Sequence, residues 1–193
     1  MKIGKILLIS CVLSLILVTG CATGRKTFQQ MRFKPVTLSE KGITVELVHP
    51  TEEELIGRFG RVDNPFLPAP SFLGGGPSLV LELSIETSTD LRVYLSSIEF
   101  HMGNKFLGPV SPSHFAHYFD TRIQRDDRYR GWTSGRVRKR INDHMLPSRL
   151  KLKSGESERG FVVFSGSLPS QGEAAFYLPV YSPEDELLHT FKF

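Results

Sequence analysis

Ile43-Thr44-Val45-Glu46-Leu47-Val48 alternates apolar and polar side chains with the two-residue period of a half-buried strand, between Gly42 and Pro50. The first strand is expected there. Thr51-Glu52-Glu53-Glu54 has the Thr-x-x-Glu spacing of a capping box and puts acids where a helix N-terminus is positive, so a short helix should run toward Gly57 or Gly60. The prolines and glycines of Asn64-Pro65-Phe66-Leu67-Pro68-Ala69-Pro70 and Gly74-Gly75-Gly76-Pro77 exclude regular structure and predict a long loop carrying Phe66, Leu67, Phe72 and Leu73. Such a loop is either functional or a lid that lays its aromatics on the core. Leu79 to Glu86 passes from a continuous apolar run into alternation, as in a central strand whose end emerges at the rim. Arg92-Val93-Tyr94-Leu95 with Ser97-Ile98-Glu99-Phe100 predicts the next strand, and Gly103-Asn104 turns the chain back through Lys105-Phe106-Leu107.

The period changes between Ser111 and Pro147. Ser111-Pro112 suits an N-cap followed by proline in the first turn, and Phe115, Tyr118, Phe119 and Ile123 recur at helical spacing. A second helix is expected from Val137 to Met145, with Val137, Ile141 and Met145 on one face and Lys139 paired to Asp143 on the other. Strand periodicity then returns at Leu150-Lys151-Leu152, Gly160 to Phe164, Ala174 to Tyr181 and Leu187 to Phe193, with a hairpin loop from Ser182 to Glu186. Short strands at regular spacing predict a mainly β, antiparallel β-sandwich carrying a short helical insertion at about 111–147.

The first residues do not belong to this pattern. Lys2 and Lys5 precede an apolar run from Ile6 to Val18, short of the roughly 20 residues of a stable membrane span. Small residues then lead into a cysteine, as in an export signal. Val18-Thr19-Gly20-Cys21 resembles the lipobox of bacterial lipoproteins. That resemblance implies a diacylglyceryl group on the Cys21 thiol, removal of residues 1–20 and acylation of the new amine. It also implies an envelope address, since aspartate after the cysteine favours the inner membrane in Gram-negative members and Ala22 stands there instead, which points to the outer membrane. Residues 21–35 form the expected tether and 36–193 the domain.

The Lys153-Ser154-Gly155-Glu156 turn leading into Gly160-Phe161-Val162-Val163-Phe164 resembles a strand pair in immunoglobulin-like domains of uncharacterised bacterial lipoproteins. The antibody-type cysteines are absent, so the resemblance implies architecture, together with the binding or structural role typical of those modules.

Removal of residues 1–20 would leave 193 − 20 = 173 residues, enough for one core. Cys11 would leave with the signal and Cys21 would carry lipid, so the mature chain would have neither a disulfide nor a thiol nucleophile. Loss of Lys2 and Lys5 reduces the net charge from +4 to about +2, too little to attract polyanions in general. The charge is concentrated instead. Arg122, Arg125, Arg128, Arg130, Arg136, Arg138, Lys139 and Arg140 face only Asp126 and Asp127 within their own stretch, with Tyr129 and Trp132 as potential aromatic anchors. This segment is the leading candidate contact surface, for an anionic envelope component or an acidic protein face. An exported chain has little use for nucleic acid as a partner. A solvated insertion is the competing reading, within a purely structural lipoprotein.

The enzyme alternative rests on His114-x-x-His117-x-x-Asp120, whose imidazoles and carboxylate suit zinc but lack the glutamate of a His-Glu-x-x-His motif. Ser148-x-x-Lys151 enters a strand without the companion motifs of penicillin-recognising enzymes, and no Gly-x-Ser-x-Gly elbow occurs. Neither a cofactor nor a resident metal is expected.

Overall fold

The computed structural model describes residues 33–67, 77–166 and 173–193. The expected signal sequence, Cys21, the expected tether through Arg32, and residues 68–76 of the long loop lie outside the described residues. In chain order the elements are β1 (Val36–Glu40), β2 (Ile43–Val48), α1 (Glu52–Phe59), β3 (Pro77–Thr87), β4 (Leu91–Tyr94), β5 (Glu99–Met102), β6 (Lys105–Leu107), α2 (Pro112–Ile123), α3 (Ser134–His144), β7 (Arg149–Leu152), β8 (Ser157–Ser165), β9 (Ala174–Tyr181) and β10 (Leu187–Lys192).

The strands form two antiparallel sheets. One has the order β1-β2-β3-β8. In the other, β9 lies between β10 and a broken strand made of β4 and β5, which in turn pair with β7 and β6. The break is a 3-10 turn at Leu95–Ser97. Inward-facing side chains of the two sheets, among them Ile43, Leu81, Leu83, Phe164, Val93, Phe100, Phe176 and Leu178, form one buried cluster. The chain is mainly β, with the sheets arranged as a β-sandwich.

A second apolar cluster explains why two strands lack polar alternation. Leu79, Leu81 and Leu83 of β3 face the sandwich interior, whereas Val80 lies in a separate cluster with Phe161 and Val163 of β8. Leu55, Phe66, Phe115, Phe119, Val137 and Ile141 cover that outer face. Here β3 and β8 are buried on both sides, as their continuous apolar runs require. Phe66 is fully buried in this second core, so the described part of the long loop does act as a lid.

The insertion also protects a sheet edge. Strand β8 ends its sheet, and an open edge would offer unpaired backbone groups to other chains. The segments entering and leaving the helices occupy that edge. Val110 N–H donates to Val163 O at 2.8 Å, and Leu146 N–H to Phe161 O at 3.0 Å.

One polar group is buried on the outer face. Glu82 is 7 % exposed and accepts from Arg58 Nη1 of α1 at 2.9 and 3.0 Å and from Arg159 Nε of β8 at 2.9 Å. Burial raises its pKa, but the hydrogen bonds from Arg159 and Arg58 and their charges outweigh that effect, leaving the carboxyl below its ordinary value. Its contribution is present above the unfolded carboxylate pKa and is lost as pH falls through the lowered folded value. Glu82→Gln is expected to cost about 2 kcal/mol at pH 7, below the usual 3–5 for a buried pair because both guanidinium groups keep contact with water. The deficit should shrink below about pH 4. Urea unfolding at pH 7 and pH 3.5 measures both values.

Candidate functional site

The arginine-rich segment lies on a framework that the sequence specifies locally. Ser111 caps α2 by accepting from His114 N–H at 3.3 Å, with Pro112 in the first turn. Phe115, Ala116 and Phe119 point inward from α2, and Val137 and Ile141 from α3. Between the helices, Asp126 caps a 3-10 turn at Asp127–Tyr129 by accepting from Arg128 N–H at 3.1 Å. Tyr129 and Trp132 fold back on α2. Trp132 stacks on Phe119 with centroids 5.8 Å apart and planes 17° from parallel, and Tyr129 meets both rings edge-on. Tyr129 is buried, which pushes its hydroxyl pKa up to about 12, and Trp132 is half-buried. These rings fasten the insertion more than they project from it.

Carboxylates from outside the 122–140 stretch answer much of its charge. Arg138 of α3 bonds Asp120 of α2, joining the two helices. Arg136 Nε lies 2.6 Å from Asp63, a buried residue of the loop after α1 that also accepts from Thr133 N–H. Arg140 donates to Val62 O at 2.9 Å, and Lys139 to Asp143 at 2.6 Å, the pair expected from the sequence. The carboxylate of Asp126 takes Arg128 in a fork and has Arg122 at 3.9 Å. Hydrogen bonds from Arg128 hold its pKa down to about 2. The guanidinium groups of Arg125 and Arg130 meet no carboxylate among the described residues, and both residues are exposed. The local surplus is therefore smaller than the linear count of eight cations against two acids, and it is concentrated between Arg122 and Arg130.

The proposed metal ligands are dispersed in role. His114 and His117 are exposed on α2, while Asp120 is engaged by Arg138. No group of three or more His, Cys, Asp or Glu side chains is placed to hold a metal ion among the described residues.

Sequence reasoning missed the residues that organise the loop after α1. Buried Asn64 donates to Leu55 O at 3.1 Å and to Gly60 O at 2.7 Å, and accepts from Phe66 N–H at 3.2 Å. This ties the loop to the middle of α1 and to its C-cap, and places the neighbouring Asp63 beside α3. The available signal was Asp63-Asn64-Pro65, an Asx pair before proline just beyond a helix. The chain matches no protein-family model, no curated protein and no solved structure with which it was compared. No helix among the described residues is long and apolar enough to cross a membrane.

Proposed function

We propose that the protein is a lipid-anchored lipoprotein of the bacterial cell envelope, at the outer membrane where there is one, whose immunoglobulin-like β-sandwich binds or scaffolds without catalysing a reaction. The observation that carries this reading is the placement of Arg125 and Arg130. They flank a turn held by Asp126, Tyr129 and Trp132, so they present two guanidinium groups from a rigid base. Arginine forks suit phosphates and carboxylates, and a fixed backbone lowers the ordering cost of binding. An anionic envelope component or an acidic protein face fits that chemistry.

The four cations of α3 serve a different purpose in this arrangement. Arg136, Arg138 and Arg140 tie α3 to Asp63, Asp120 and Val62, so replacing them would mix stability with recognition. Arg125→Ser with Arg130→Ser separates the two effects. With a photo-crosslinking side chain at exposed position 124, the unaltered surface should give a discrete adduct in cells. The double variant should lose at least tenfold of it while Tm changes by no more than about 2 °C, as for surface substitutions generally. An unchanged adduct yield would remove the contact surface from this stretch.

A further inference from the structure

The two sheets separate at one end of the sandwich. At the other end of their edge strands, β1 and β10 are drawn together by Lys41 Nζ donating to Leu188 O at 2.7 Å and by Glu40 lying 3.2 Å from His189. Toward Val36 and Phe193 that closure gives way to a pocket of about 200 Å³. Val36, Leu47 and Leu81 line one wall and Phe100, Ala174 and Phe176 the other, with Phe33, His49 and Phe193 at the sides. Ala174 explains why space remains. It packs on the main core at the start of β9, in line with inward-facing Phe176, Leu178 and Val180, but is far smaller than they are.

We propose that this pocket binds the alkyl chain of a medium-chain alkanoate, with Lys34 at its mouth receiving the carboxylate. The lining is apolar apart from His49 and Lys34, and Lys34 is its one charged side chain. His49 stays neutral at ordinary pH, because burial lowers its pKa to about 4 against the opposing charge of Glu54. An apolar cavity of roughly 150 Å³ suffices to hold benzene, so this one suits a chain of about six to eight carbons. A chain much longer than that gains more by staying in a bilayer, where every methylene is buried, than by entering a pocket that covers only part of it. The occupant is thus a short, freely diffusing amphiphile rather than the lipid expected on Cys21, and the proposal is independent of the anchor.

The test uses the full chain in phosphatidylcholine nanodiscs, with empty discs as the blank and methyl-13C-labelled alkanoates as probes. Isotope-filtered NOEs should connect the octanoate methyl group to ring protons of Phe33, Phe100 and Phe176. From butanoate to octanoate each methylene should tighten binding about three- to fourfold, with decanoate gaining no more than about twofold over octanoate once the space is filled. Ala174→Leu, which fills the pocket, should weaken octanoate binding at least tenfold without lowering Tm. Lys34→Glu, at an exposed position that cannot compromise the core, should weaken octanoate two- to fivefold and leave octanol unchanged. Absence of saturable NOEs would overturn the proposal. So would affinity that keeps rising through dodecanoate, or octanoate binding that is indifferent to both substitutions.

Discussion

Gly160→Val is expected to destabilise the domain by more than about 3 kcal/mol, and Gly160→Ala by about 2 kcal/mol, without either change touching the arginine surface. A Cβ at Gly160 would lie 2.9 Å from Leu146 N, 3.1 Å from His144 O and 3.2 Å from Leu146 Cδ2. Two of those atoms are backbone and cannot rotate away. The first belongs to the N–H that donates to Phe161 O, so relieving the clash displaces the segment that covers the β8 edge. Valine adds two methyl groups at the same place. For a chain of this size each kcal/mol corresponds to about 2–4 °C in Tm, so the valine variant should melt at least about 6 °C lower and aggregate sooner as the edge opens. Gly57→Ala is the matched control. Gly57 lies in α1 with nothing within 4 Å of a built Cβ, so alanine there should be neutral or should stabilise by up to about 1 kcal/mol. Scanning calorimetry and light scattering compare the three variants with the parent. Equal melting of Gly160→Val and the parent would mean that the insertion does not pack on β8 in this way.

The elements legible in the sequence were those whose causes are local. The capping box at Thr51 starts α1, the Ser111-Pro112 pair starts α2, and β9 spans Ala174–Tyr181 as its pattern requires. Strand β1 was missed for a physical reason. Only Leu38 of its residues is even half-buried, so the core imposes little apolar signal on it. Its turn was the better clue. Lys41 and Gly42 both take positive φ, 53° and 75°, closing a two-residue hairpin between Glu40 and Ile43. Helix α3 begins at Ser134 rather than Val137 because Thr133 N–H is held by Asp63 and Thr133 O accepts from Val137 N–H, the first of these a contact with a residue 70 positions away. The same distance hides the meaning of the arginines. Their number was evident from composition, but Asp63 answers one of them only because Asn64 fixes the loop that carries it. Glu82 behaved similarly. The alternation toward Glu86 suggested a strand emerging at the rim, whereas Arg58 and Arg159 allow Glu82 to stay buried on the outer face. What the sequence conceals is which charges neutralise one another, because that depends on partners brought together by the fold.

Cys21→Ser should abolish both processing and lipidation, the largest change any single substitution here is expected to make. Ile6 to Val18 is shorter than a stable span, so under the proposed envelope address the chain would be held at the membrane by a covalent group. A buried methylene contributes about 0.8 kcal/mol, and one acyl chain gives only reversible binding, whereas two or three hold a protein to a bilayer essentially permanently. In the proposed lipoprotein both steps depend on the Cys21 thiol, for a serine hydroxyl cannot form the thioether and residues 1–20 would then be retained. Mass spectrometry of the parent chain from its native host should show loss of Met1 to Gly20 and addition of lipid at Cys21. The variant should retain Met1 to Gly20 and incorporate no labelled fatty acid. A further substitution, Ala22→Asp, should leave lipidation intact and, in a Gram-negative host, move the protein from the outer to the inner membrane on a density gradient. If the parent chain keeps its first twenty residues and a bare thiol, the envelope address fails, and nucleic acid returns as a partner for Arg125 and Arg130. The alkanoate pocket, which lies within the folded domain, would stand or fall separately.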